Sequence, residues 1–173
     1  MRAQTFYKAV TMDRSNLLER LLALLETHRI RYCVIGGQAV NAYVEPLVSL
    51  DLDVVIASDQ LPALEALLVQ SFTVKRFSHS LNISAPDSEL RVQIRTDERY
   101  AGFVTRAQTR DVLGMPLKVA ALADALQGKI WAAQDPQKRG SQRQKDLADI
   151  ARLIEAHPHL RADVPQDILR LLL

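Results

Sequence analysis

The 173-residue sequence predicts an α/β (α+β) fold, a sheet flanked by helices, and three observations carry that expectation. Residues 32–56 read as strand, tight turn, short helix and second strand. Residues 89–95 alternate strictly between polar and apolar, the period of a strand with one buried face. Residues 121–133 and 141–156 place apolar side chains at helical spacing. At this length the chain is about one domain. The expected division is a core over residues 1–120, built on a βαβ unit that carries the Gly-Gly and Asp-x-Asp motifs, and a C-terminal helical region over 121–173, packed as one compact unit.

In chain order, residues 1–12 show no clear period, and Asp13 to Ser15 offer capping side chains for a first helix. Leucines at 17, 18, 21, 22, 24 and 25 give that helix a broad apolar stripe, for a sheet or for a partner. Tyr32 to Ile35 form a buried strand broken by Gly36 and Gly37, and residues 38–44 suit a short helix stopped before Pro46. Residues 50–56 form the next strand, with Asp51, Asp53 and Val55 on one face. Ser58 or Asp59 can cap a helix running to about Gln70. Strands follow over 72–77 and 81–84, with turns at 78–80 and 86–88. Leu90, Val92 and Ile94 turn one way, Glu89, Arg91, Gln93 and Arg95 the other. Residues 100–108 are weakly helical, and 112–119, with Gly114 and Pro116, suggest extended pieces around a turn. After the two strong helices Pro158 is a stop, and Asp163 can cap a last helix over 165–173.

Composition narrows the function. Hydrophobic residues make up 48%, which excludes a disordered chain. The net charge of +2 suits an anionic ligand but does not by itself argue for nucleic acid. Cys33, the single cysteine, cannot form a disulfide within the chain and reads as a buried thiol. No apolar run reaches the roughly 18 residues of a membrane helix, and the N-terminus lacks a signal-peptide core, so a cytoplasmic protein without membrane association is expected.

The chemistry centres on residues 32–56. Asp51 and Asp53 project from one strand face, roughly 7 Å apart at Cα. Two carboxylates so placed can hold Mg²⁺, which binds through one or two carboxylates plus substrate phosphates. Glycines at 36 and 37 let backbone amides approach a phosphate, or simply make a tight turn. Thirteen residues separate Gly37 from Asp51.

The Gly-Gly turn followed by Asp-Leu-Asp between apolar residues resembles the nucleotidyltransferase pattern of the polymerase-β-like superfamily. Lys129 on one helix and Lys145-Asp146 on the next resemble the helical region of the AbiEii-type branch, which includes toxins of toxin–antitoxin systems and small stand-alone enzymes. The likeness spans about residues 31–155. It implies the nucleotidyltransferase fold, a small mixed β-sheet flanked by helices, with the C-terminal helices packed against it. It also implies transfer of a nucleoside monophosphate from an NTP to an RNA (tRNA) or protein acceptor, and a possible cognate antitoxin. On that reading Asp51 and Asp53 hold Mg²⁺, and Gly36, Gly37 and Ser49 contact the triphosphate. Lys129 neutralises phosphate charge, and Asp146 orients Lys129 or contacts the nucleotide.

One position departs from the superfamily. The pattern has a third acid on a later strand, and here the matching residue is Gln93, a poor Mg²⁺ ligand and no base. Glu89 and Asp97 are the nearby acids that can substitute, and Arg91 and Arg95 flank Gln93 as phosphate ligands or solvated side chains. The competing function is therefore a binding module that keeps the fold without turnover. A third is modification of a cationic antibiotic, for which the sequence shows no excess of acids. The basic run Lys138, Arg139, Arg143 and Lys145 and the His157/His159 pair each have a ligand reading, RNA phosphates and a metal, beside a structural one.

Overall fold

The computed structural model describes residues 16–112 and 114–172. The expected caps at 13–15 and the stretch 1–12 lie outside the described residues. The elements are α1 (Leu17–Thr27), β1 (Tyr32–Ile35), α2 (Gly36–Asn41), β2 (Asp51–Ile56), α3 (Leu61–Ser71), β3 (Thr73–Phe77), β4 (Ser80–Ser84) and β5 (Arg91–Arg95). They continue with α4 (Ala101–Arg106), β6 (Gln108–Val112), β7 (Met115–Val119), α5 (Leu122–Gln134), α6 (Gly140–Ala156) and α7 (Gln166–Leu171). Short 3₁₀ turns occupy Ser58–Gln60, Glu98–Tyr100 and Pro158–Asp163.

The seven strands form one mixed sheet in the order β3-β4-β5-β2-β1-β7-β6. The pairs β2·β5 and β1·β7 are parallel, and the others are antiparallel. Because β1 and β2 run antiparallel, with Ile35 opposite Asp53, the strand–turn–helix–strand unit folds back on itself rather than crossing over. The fold-back returns the start of β2 to the Gly36 turn, so the two halves of the proposed site meet.

Other sequence expectations shift for local reasons. Gly36 opens α2 directly, so the glycines belong to the helix rather than preceding it. Gln108 is the first residue of an edge strand, not the end of a helix, and four of the five β6 residues are exposed. No alternation marks such a strand, and only pairing with β7 defines it. Asp163 does not cap α7; it ends the 3₁₀ turn, and Pro165 stands at the N-cap position. Asp59 is likewise not a side-chain cap and pairs with Arg31 at 2.9 Å.

Two hydrophobic clusters hold the structure. The larger includes α1, the inner strands and Ala125 of α5. The smaller gathers Leu126, Ile130, Leu147, Ile150, Leu153, Leu160 and Ile168. The α2 helix joins them: Ala39 is buried in the first and Val40 in the second. Tyr43, just beyond α2, packs against both, and its hydroxyl donates to Ala120 O at 2.6 Å. The turn at the head of α2 is thus anchored from the sheet side and the C-terminal side together.

Candidate active site

Gly36 has φ +70°, a region that costs an ordinary side chain strain. A Cβ placed there would lie 2.6 Å from Asp53 Oδ2. Glycine is therefore required twice over, for its backbone angle and for the close approach of the Asp53 carboxylate. At Gly37 a Cβ would lie 3.9 Å from Asp149 Oδ2, so a carboxylate from α6 overlooks the same turn.

Asp51 and Asp53 stand at the start of β2 on one face, the first exposed and the second partly buried. Asp51 pairs with Arg91 at 2.7 Å. Burial pushes the Asp53 carboxyl above the usual carboxylate range, against the opposing pull of Arg95, Lys129 and Lys138. A divalent cation bound there would favour the charged carboxylate against that burial. Two hard carboxylates suit Mg²⁺ completed by substrate phosphates and water. Among the described residues no group of three or more His, Cys, Asp and Glu gathers around a possible ion.

Ser49 stands just before the strand, where its hydroxyl accepts from Asp51 N–H at 3.2 Å. Two residues that sequence reasoning passed over shape this loop. Gln38 is buried and donates to Ser49 O at 3.3 Å, and Asn41 bonds both Leu47 O (2.7 Å) and Leu47 N–H (3.0 Å). The signal was available: both are polar residues three apart on a short apolar helix, a spacing that points them to one side.

Lys129 is buried, with its Nζ 3.0 Å from Asp146 and 2.8 Å from Asp149. Burial disfavours its charge, but Asp149 and Asp146 outweigh that and hold its pKa above the ordinary lysine value. Asp146 also pairs with Lys138, and Asp149 with Arg152 at 2.8 Å. The structure thus brings Lys129 and Asp146 together. It adds Asp149 and Arg152, which sequence reasoning missed although residues 146, 149 and 152 share one helix face. Arg152 reaches further, to Glu45 O at 2.6 Å and Asn41 Oδ1 at 3.2 Å. It ties α6 to the loop that leads into β2.

Gln93 lies in register with Asp53 on the parallel neighbour β5, so the two side chains share a face. Beyond it the row continues through Asn82 and Lys75. Gln93 Nε2 donates to Ser80 Oγ at 3.3 Å. Asp97 is engaged elsewhere, accepting from Arg99 N–H at 3.0 Å and pairing with its side chain. Glu89 is exposed and precedes the strand.

The remaining candidates have structural partners. Arg143 donates to Ala133 O and Asp135 O, closing the end of α5. His157 Nε2 contacts Tyr43 O at 2.9 Å. Burial pushes the Cys33 thiol up to about 12, which leaves it without thiolate at neutral pH.

No family model and no curated protein matches this sequence. Solved structures do. The antibiotic-resistance factor ANT(2'')-Ia matches with a TM-score of 0.56 and 13% identity, over 86% of this chain and 91% of that one. The lincosamide antibiotic adenylyltransferase LnuA matches with 0.55 and 8%, over 83% and 99%. An antigenic nucleotidyltransferase-like protein from Paracoccidioides brasiliensis matches with 0.52 and 18%, over 89% and 76%. The chain has the nucleotidyltransferase fold, and at these identities the likeness speaks for the fold alone.

Proposed function

We propose that this protein is a Mg²⁺-dependent nucleotidyltransferase that moves a nucleoside monophosphate from an NTP to an RNA or protein acceptor. The observation that carries the reading is the fit between Gly36 and Asp53, which sets a carboxylate pair against a glycine turn. Asp51 and Asp53 hold the cation, and the amides around Gly36 and Gly37, with Ser49, receive the triphosphate. When bound, Mg²⁺ neutralises charge on the phosphates and polarises the reacting phosphorus. The chain's own part is positioning and charge stabilisation. Lys129 acts within its carboxylate cluster: it holds Asp146 and Asp149 in place and offsets negative charge beside Asp53. The AbiEii-type branch, a toxin-like role with a cognate antitoxin, and a cytoplasmic location belong to the same reading.

The second reading is a binding module without turnover, and Gln93 beside Asp53 is the observation in its favour. Purified protein with labelled NTPs, Mg²⁺, cellular RNA and protein separates the two. Transfer that is lost in Asp51→Asn and Asp53→Asn supports the enzyme, and transfer that survives both rules out this site. Mg²⁺-dependent NTP binding without transfer supports the binding module. The toxin-like role predicts growth arrest on induction that needs both aspartates.

A further inference from the structure

A hydroxyl acceptor needs a base to remove its proton, and a base level with Asp53 on the neighbouring strand would be placed to serve one. Here that strand offers Gln93, in register with Asp53 and unable to take a proton. The two residues that share its face are Arg91 and Arg95, one pleat away on either side. Lys75 lies on the same row across Asn82. Arg95 is half-buried on the face that carries Gln93. Arg91 is paired with Asp51 at 2.7 Å, and among the described residues the Arg95 guanidinium has no hydrogen-bond or ion-pair partner. Asn82 Oδ1 is likewise buried without a hydrogen bond. The face beside the aspartates thus pairs neutral amides with cations where an acid would serve a hydroxyl.

We infer that the acceptor attacks through an oxygen that is already anionic, that of a terminal phosphate monoester. This rests on the nucleotidyl-transfer reading above. A phosphate monoester carries a charge of about −1.5 to −2 at pH 7, so its oxygen needs no base. Arginine guanidinium groups bind phosphate through paired N–H donors. Arg95 draws the acceptor phosphate to the Asp53 side and screens it from the triphosphate, while Arg91 stays on Asp51 and neutral Gln93 spares the phosphate the repulsion a third carboxylate would impose. In the step, the acceptor oxygen forms a bond to the α-phosphorus of the NTP. The bond from that phosphorus to its bridging oxygen breaks, and the electron pair leaves with pyrophosphate. No proton is transferred, and the product is a phosphoanhydride.

The test uses the full chain with Mg²⁺ and α-labelled NTPs. The acceptors are a short RNA with a 5′-phosphate, the same RNA with hydroxyls at both ends, glycerol 3-phosphate and glycerol. The phosphorylated member of each pair should be labelled roughly a hundredfold faster than its hydroxyl twin, the low end of a general base's contribution. Labelling of the RNA alone or of both phosphates tells a polymer end from any phosphomonoester. Gln93→Asp should slow transfer to phosphate and speed transfer to hydroxyl, and Arg95→Ala should raise KM for the phosphate acceptor, with partial rescue by Arg95→Lys. Equal or faster labelling of the hydroxyl twins overturns the inference and leaves nucleotidyl transfer standing. NTP binding without transfer to any of the four also overturns it, in favour of the binding module. Absence of Mg²⁺-dependent NTP binding overturns the reading beneath it as well.

Discussion

At Gly36 a single hydrogen in place of a methyl decides whether the turn and the aspartate pair can coexist. Gly36→Ala meets both the positive φ and the Asp53 carboxylate. The backbone term alone costs about 1–2 kcal/mol. Chemical denaturation should show a loss of at least that size, and Mg²⁺ should stabilise the variant less than wild type because Asp53 is displaced. Lys129 poses the opposite problem, a buried charge that is kept rather than avoided. Lys129→Met leaves Asp146 and Asp149 with a cation fewer in a buried setting. Removing one partner of such a group costs on the order of 3 kcal/mol. A urea titration with a midpoint unchanged from wild type would contradict that account. Asp51, Asp53, Lys129 and Asp146 were all legible as charged residues in a pattern. Asp146 as a partner of Lys129 came only through the family resemblance and Asp149 not at all, because both carboxylates lie on a different helix from the lysine.

Among the elements, α6 does more than cover the second cluster. Through Arg152 it holds Glu45 O and Asn41 Oδ1, and so fixes the stretch that brings the chain from α2 to Asp51. Arg152→Ala removes these bonds and the Asp149 pair, and should cost about 1–3 kcal/mol. Limited proteolysis should then cut the variant within residues 44–50 faster than wild type, and equal cutting rates would show that the loop is held without Arg152. Leu47 and Val48 at the tip of that loop are exposed, so nothing in their own burial holds it. The strong periodicities of α1, α5, α6 and β5 were readable because each buries one face against a core. The edge strand β6 was not, since it buries only Val112 and owes its form to β7.

For the whole molecule, α2 links the two hydrophobic clusters through adjacent residues, Ala39 and Val40. The C-terminal helices should therefore unfold with the sheet rather than before it. Trp131 reports on this, because it stacks on Phe103 of α4 with ring centroids 5.6 Å apart and meets Tyr100 edge-on. Its fluorescence and far-UV circular dichroism should follow one denaturation curve, as a cooperative unit requires. Two separated transitions would mean that the clusters fold independently. Among the described residues no helix is long and apolar enough to cross a membrane.

The sequence by itself determined what alternation and chemistry write into neighbouring residues: the strand–helix–strand order of residues 32–56, the shared face of Asp51 and Asp53, and the amide at Gln93. These are local, because a strand's two-residue period places side chains on a face whatever the strand later pairs with. Only the tertiary structure decided that β1 and β2 run antiparallel, that Gln93 lies level with Asp53, and that Lys129 sits between Asp146 and Asp149. Strand register and contacts between helices depend on how separate segments bury their apolar faces together, and no single segment carries that information.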